Sequence, residues 1–147
     1  MKGEIMSVER LVLTSLKKAV FALSKSVAVF ERLSIIDMEK DELDIIKAGV
    51  IQHFEFCYEL CWKFIKRWLE MNINPEAADG VTRRELFRQG VENKLLDNVD
   101  EWMIFHSARN RVSHIYDEDV AEEVFAIVRK FLPYAKSLLS RLESKND

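Results

Sequence analysis

The sequence is poor in the residues that turn a chain. Four glycines and two prolines in 147 residues make up about 4% of the chain, against roughly 12% in average usage. That scarcity excludes a sandwich, a barrel or a many-turned α/β domain and leaves a few long helices. Cysteine is equally sparse. Cys57 and Cys61 cannot form a disulfide framework, and four residues apart on one helix they are poorly placed to bridge each other. No charge of one sign dominates: 22 Lys and Arg face 25 Asp and Glu, for a net charge of −3. A whole-protein basic footprint is thereby excluded, and nucleic-acid binding is confined to a local patch. No apolar run reaches the ~18 uncharged residues of a membrane helix, because Lys25 interrupts the most apolar early stretch, residues 19–30. Glu4, Glu9, Arg10, Lys17 and Lys18 stand where a signal peptide would need its apolar core. The expectation is a soluble, cytoplasmic protein without a membrane partner.

What is present is an ordinary globular mixture, 48% hydrophobic and 32% charged, which excludes disorder. The length suits one domain over residues 1–147 that buries about 68–70% of the surface its unfolded chain exposes. Leu13, Leu16, Val20, Leu23, Val27 and Phe30 recur at steps of three and four, predicting a first helix from about Ser7 to Arg32. The polar break IDMEKDEL leads into a longer helix from about Asp41, a candidate N-cap, to Asn72. Its stripe of Leu43, Ile46, Val50, His53, Cys57, Leu60 and Phe64 is widened by Phe54, Phe56, Tyr58, Cys61, Trp62, Ile65, Trp68 and Leu69. A helix apolar around most of its circumference is buried around most of it, by the bundle or by a second copy. Phe54, Tyr58, Trp62 and Trp68 are the expected excess that a homodimer would cover.

Asn74-Pro75 ends that helix, and Thr82 with Glu85 reads as a capping box for a short helix stopping near Gly90. Asp97 or Asn98 opens a fourth helix to about Val112. A fifth starts near Asp117–Asp119 and runs to about Ser144 along Val120, Val124, Ile127, Phe131, Leu138 and Leu142, with Pro133 inside it. The expected fold is all-α, an up-and-down four-helix bundle with an extra short helix.

Four constellations carry chemistry. His53, Cys57 and Cys61 share a helix face, but no second Cys/His pair with ligand spacing completes a zinc site, so packing is the better reading and no metal is assigned. The three tryptophans and nine phenylalanines suit base stacking, but at helical spacing they read as core or interface. Arg83, Arg84, Arg88 and Lys94 form the best local candidate for an RNA- or nucleotide-binding patch, with a solvated face as the plainer reading. The fourth is His106-Ser-Ala-Arg109-Asn110-Arg111-Val-Ser-His114-Ile-Tyr116-Asp117. Arg109 and His114 diverge by about 140° on a continuous helix, so the helix must end near Val112 or Ser113 for His114 to turn back. An Arg, an amide and a His, whose ordinary pKa is near 6.5, can together hold and protonate a phosphate at that end. The same residues also suit an ordinary helix C-terminus.

The segment Arg109-Asn110-x-x-x-His114-x-Tyr116 resembles the Arg-x4–6-His signature of the HEPN superfamily, in the Arg-x4-His-x-Tyr form of HepT-like proteins. His53-Phe54-Glu55-Phe56-Cys57-Tyr58-Glu59-Leu60-Cys61-Trp62-Lys63 is similar to the helix motif of the nucleotidyltransferase substrate-binding branch. Thr82 through Gly90, then Trp102, continue that pattern in order, and Val91–Leu96 departs from it in being more polar. The resemblance implies a helical bundle that dimerises and partners a minimal nucleotidyltransferase encoded nearby. It implies Arg109 and His114 as a metal-independent ribonuclease pair acting on single-stranded RNA without a cofactor, Asn110 as a polar helper, and Tyr116 as an acceptor of AMP. Arg83, Arg84, Arg88 and His106 would bind RNA or nucleotide.

Overall fold

A computed structural model describes residues 10–146. Among them the chain forms five α-helices and no strand: α1 (Thr14–Ser34), α2 (Lys40–Asn72), α3 (Arg83–Glu92), α4 (Val99–Asn110) and α5 (Glu118–Lys145). A 3₁₀ turn, Val112–His114, joins α4 to α5. Short α3 lies against α2 and α4, and the four longer helices make the expected bundle. No helix among the described residues is long and apolar enough to cross a membrane.

The helix ends follow local chemistry. Thr82 Oγ1 accepts from the Glu85 amide at 3.1 Å, Asn98 Oδ1 from the Glu101 amide at 3.1 Å, and Asp117 Oδ1 from the Asp119 amide at 2.9 Å. Each satisfies an amide that the first helical turn leaves free. The Glu85 carboxylate does not complete the box; it binds Arg88 instead. Three boundaries differ from expectation. Helix α1 begins at Thr14, after Leu13, and Ser7 lies outside the described residues. Glu39 precedes α2, and Asp41 sits within its first turn, where a carboxylate still favours the positive end of the helix dipole. Helix α3 runs on to Glu92, past Gly90, which is buried so closely that a Cβ there would meet Leu96 Cδ1 at 3.1 Å. Gly90 thus serves close packing rather than helix termination.

The core is one cluster. Leu16, Val20, Leu23 and Val27 of α1 meet Phe54, Cys57, Cys61 and Phe64 of α2 and Val124, Val128, Phe131 and Leu138 of α5. Phe131 is its aromatic centre, edge-on to Phe54 at 5.1 Å, Phe105 at 5.1 Å, Trp102 at 5.7 Å and Tyr58 at 6.4 Å between centroids. Edge-to-face pairs of this kind set the positive ring edge against a negative face. Phe54 and Tyr58 are therefore core residues and not spare apolar surface, because α4 and α5 close over that flank of α2. The exposed apolar side chains are others, among them Phe21, Ile45, Phe56 and Ile104.

Candidate functional site

The site is built on facing flanks of α2 and α4. Helix α4 buries Trp102, Phe105 and Ala108, and the helical repeat then leaves His106 and Arg109 half-buried at the margin beside α2. On α2, Tyr58 is wholly buried while Glu55 and Glu59, one turn apart, line the same margin. Arg109 lies between those two carboxylates, with Nη2 3.3 Å from Glu55 Oε2 and Nε 3.3 Å from Glu59 Oε2. These are charge contacts without hydrogen-bond alignment, for Nε is buried and has no directed acceptor. The guanidinium is held electrostatically and keeps unused donor capacity.

Beside it runs a second group. Arg83 Nη1 donates to the Tyr58 hydroxyl at 3.1 Å, and that hydroxyl lies 2.8 Å from His106 Nδ1. The Arg83 guanidinium stacks 3.8 Å above the Trp62 ring, an arrangement in which the ring's negative face attracts the cation. His106 Nε2 is 3.5 Å from the Asn110 amide nitrogen. Burial holds His106 below the ordinary histidine pKa; the cationic fields of Arg83 and Arg109 add to that, while Glu59 opposes it. Burial likewise pushes the Tyr58 hydroxyl well above the ordinary tyrosine range, with Arg83 opposing. A cavity of about 320 Å³ opens alongside, lined by Trp62, Lys66, Gly80, Thr82, Arg83 and His106.

Helix α4 ends at Asn110, just short of the expected Val112, and the 3₁₀ turn carries His114 off the helical track. His114 is exposed, and its ring stands edge-on to Tyr116 at 6.0 Å. Among the described residues no side-chain hydrogen bond or ion pair joins His114 to Arg109, which is paired with α2 instead. Tyr116 is 82% exposed and borders a groove of about 480 Å³ with Phe30, Lys40, Leu43, Lys47 and Ile115. The arginines of α3 separate in space and role. Arg83 turns inward to Tyr58, Arg84 pairs with Asp100 at 3.1 Å, and Arg88 is clamped by Glu85 and Glu92.

Among the described residues no group of three or more His, Cys, Asp or Glu side chains is placed to hold a metal ion. Cys57 and Cys61 are buried in the core, and burial raises the Cys61 thiol pKa. Glu55, Glu59, Tyr58 and Trp62 were absent from the site expected from sequence. Their signal was the α2 motif itself, in which polar residues one turn apart interrupt an apolar helix. Nothing local links Tyr58 to Arg83 or His106. Chemically, the margin combines one guanidinium with unused donors, a histidine and an amide, an arrangement suited to an anionic oxygen that competes with Glu55 and Glu59 for Arg109.

Comparison with known proteins agrees with this architecture. Residues 11–144 match the family described as "Nucleotidyltransferase substrate binding protein like". The chain is 31% identical over 143 residues to "Probable ribonuclease HepT" of Haemophilus influenzae, an alignment covering 96% of this chain and 98% of the relative. The structure of HI0074 from Haemophilus influenzae, described as the fold of a substrate binding domain of a nucleotidyltransferase, superposes with a TM-score of 0.83. It is 30% identical and covers 90% of this chain and 99% of its own. A crystal structure from Thermus thermophilus shares the fold at a TM-score of 0.61 and 22% identity, covering 82% of this chain and 98% of its own. A match of this extent, on a helical bundle of the same fold, makes the chain a member of the nucleotidyltransferase substrate-binding protein-like family.

Proposed function

We propose that this protein is the HEPN-type substrate-binding partner of a minimal nucleotidyltransferase encoded nearby, the two forming a cytoplasmic toxin–antitoxin-like pair. The observation that carries the reading is the exposure of Tyr116, 82% accessible, on a turn adjoining Arg109 and His114 in a chain of this family. A tyrosine with so little of its ring buried contributes little to folding, and an enzyme can reach its hydroxyl. The partner transfers AMP from ATP to the Tyr116 oxygen: the hydroxyl attacks the α-phosphorus, loses its proton, and pyrophosphate leaves. Co-expression with the neighbouring nucleotidyltransferase should yield a complex, and incubation with ATP should raise the intact mass by AMP. Absence of a complex refutes the pairing. Equal incorporation into wild type and Tyr116→Phe refutes the acceptor.

A second reading is favoured by the 31% identity to a protein named as a ribonuclease. Here the chain cleaves single-stranded RNA without a metal. The 2′-hydroxyl attacks the adjacent phosphorus, His114 moves the proton, and Arg109, with Asn110 beside it, holds the charge that develops on the phosphoryl oxygens. The 5′-oxygen leaves, and a cyclic phosphate remains. AMP on Tyr116, two residues from His114, would block the site by occupying it. Both readings use a homodimer, for which the exposed Phe56 and Ile104 are candidate contacts. Purified protein should cut RNA in EDTA and leave cyclic-phosphate ends; cleavage unchanged in His114→Ala ends the mechanism.

A further inference from the structure

We infer that Tyr58 and Arg83 lock His106 into a single tautomer, protonated on Nε2, and thereby make it a standing hydrogen-bond donor to a phosphate oxygen bound at Arg109. Arginine only donates, so the 3.1 Å contact from Arg83 Nη1 obliges the Tyr58 oxygen to accept. Tyr58 is wholly buried, and its single proton must find an acceptor inside the protein. The available one is His106 Nδ1, at 2.8 Å. Nδ1 is therefore unprotonated, and the ring proton sits on Nε2. Protonating Nδ1 as well would put two donors on one buried hydroxyl and leave the tyrosine proton without a partner.

The charges around the ring favour the same state. Arg83 from α3 and Arg109 from α4 both disfavour an imidazolium, while Glu59 of α2 favours it. The buried Nδ1 side is closed by Tyr58, and the Nε2 side faces the exposed edge beside Asn110. A proton on Nε2 requires the Asn110 amide to present its oxygen there, or to yield the position to another acceptor. A neutral histidine donor beside a guanidinium gives a phosphate a second hydrogen bond that does not titrate away near neutrality. The phosphate half of this inference rests on Arg109 binding RNA; the tautomer half does not. His106 is here a binding residue, and Tyr58 and Arg83 are positioning residues that act through it.

The test is 15N NMR of histidine-labelled protein. His106 should show an unprotonated Nδ1 and a protonated Nε2 at neutral pH. Tyr58→Phe, which keeps the ring in the core, should give mixed tautomers and a His106 that titrates at higher pH. Arg83→Met, which keeps the stack on Trp62, should also mix the tautomers. A wild-type imidazolium, an Nδ1–H form, or a Tyr58→Phe spectrum identical to wild type overturns the relay. For the phosphate half, the probe is a single-stranded 2′-O-methyl RNA oligonucleotide, which cannot be cleaved. His106→Ala should bind it about tenfold more weakly, the loss of one hydrogen bond to a charged group. His106→Gln should recover much of that affinity by restoring a donor. Wild-type binding unchanged in His106→Ala overturns the donor role and leaves the RNA reading standing. A wild type that fails to bind the oligonucleotide overturns the RNA reading, and the phosphate half falls with it.

Discussion

Phe131→Ala would remove the ring on which the α2, α4 and α5 packing converges. The phenyl group is wholly buried, and returning such a side chain to water forfeits about 2 kcal/mol of hydrophobic transfer. The vacated volume cannot close fully, since Phe54, Tyr58, Trp102 and Phe105 belong to different helices whose other contacts hold them apart, and that adds about 2 kcal/mol. The expected loss is about 4 kcal/mol, inside the ~3–5 kcal/mol range for Phe→Ala in cores. Urea unfolding at fixed protein concentration measures it, followed by circular dichroism and by tryptophan fluorescence. With a denaturant slope of about 2 kcal/mol/M, the midpoint should fall by about 2 M. Phe125 is the control: it is nearly as buried, but among the described residues its one aromatic partner is Phe30, at 4.5 Å on the rim. Phe125→Ala should lose about half as much. If the two substitutions cost the same, or Phe131→Ala costs under about 1.5 kcal/mol, the aromatic centre does not carry the stability argued for it.

Three further outcomes are expected. Asp117→Ala removes the cap that accepts the Asp119 and Val120 amides and should destabilise the protein by about 1 kcal/mol in the same urea assay; no change would mean that water replaces the cap. Because the fold holds His106 below the ordinary histidine pKa, the unfolded chain takes up that proton first as pH falls below about 6.5, so this residue withdraws stability there and nothing above it. Urea midpoints of wild type should therefore fall more steeply on acidification than those of His106→Gln, and parallel curves would refute the linkage. Glu59→Gln keeps the side chain's shape but removes a charge 3.3 Å from Arg109; on the ribonuclease reading proposed above, RNA affinity by fluorescence anisotropy should rise about threefold, and weaker binding would show that Glu59 orients Arg109 more than it competes for it.

Periodicity specified the five helices and end signals specified part of their ends, because both act within a few residues; Gly90, read as a stop, lies inside α3 because it packs against Leu96. The seam from Leu16 to Val27 is buried along α1 as its spacing requires, and Thr82, Asn98 and Asp117 cap the helices they precede. The end of α4 before His114 was legible for the same reason. The Arg-x4-His-x-Tyr segment and the α2 motif were enough to identify the family, whose match then spanned residues 11–144. Composition along α2 could not say which apolar residues face the core. Phe54 and Tyr58 are enclosed while Phe56 is left out, since that choice depends on where α4 and α5 cross α2. Nor could spacing pair Arg109 with Glu55 and Glu59, or bring Arg83 and His106 to one hydroxyl. Those partners lie up to 54 residues apart in sequence. Charge and hydrogen-bond complementarity at such separations are decided only when the core packs the helices and sets which flanks meet.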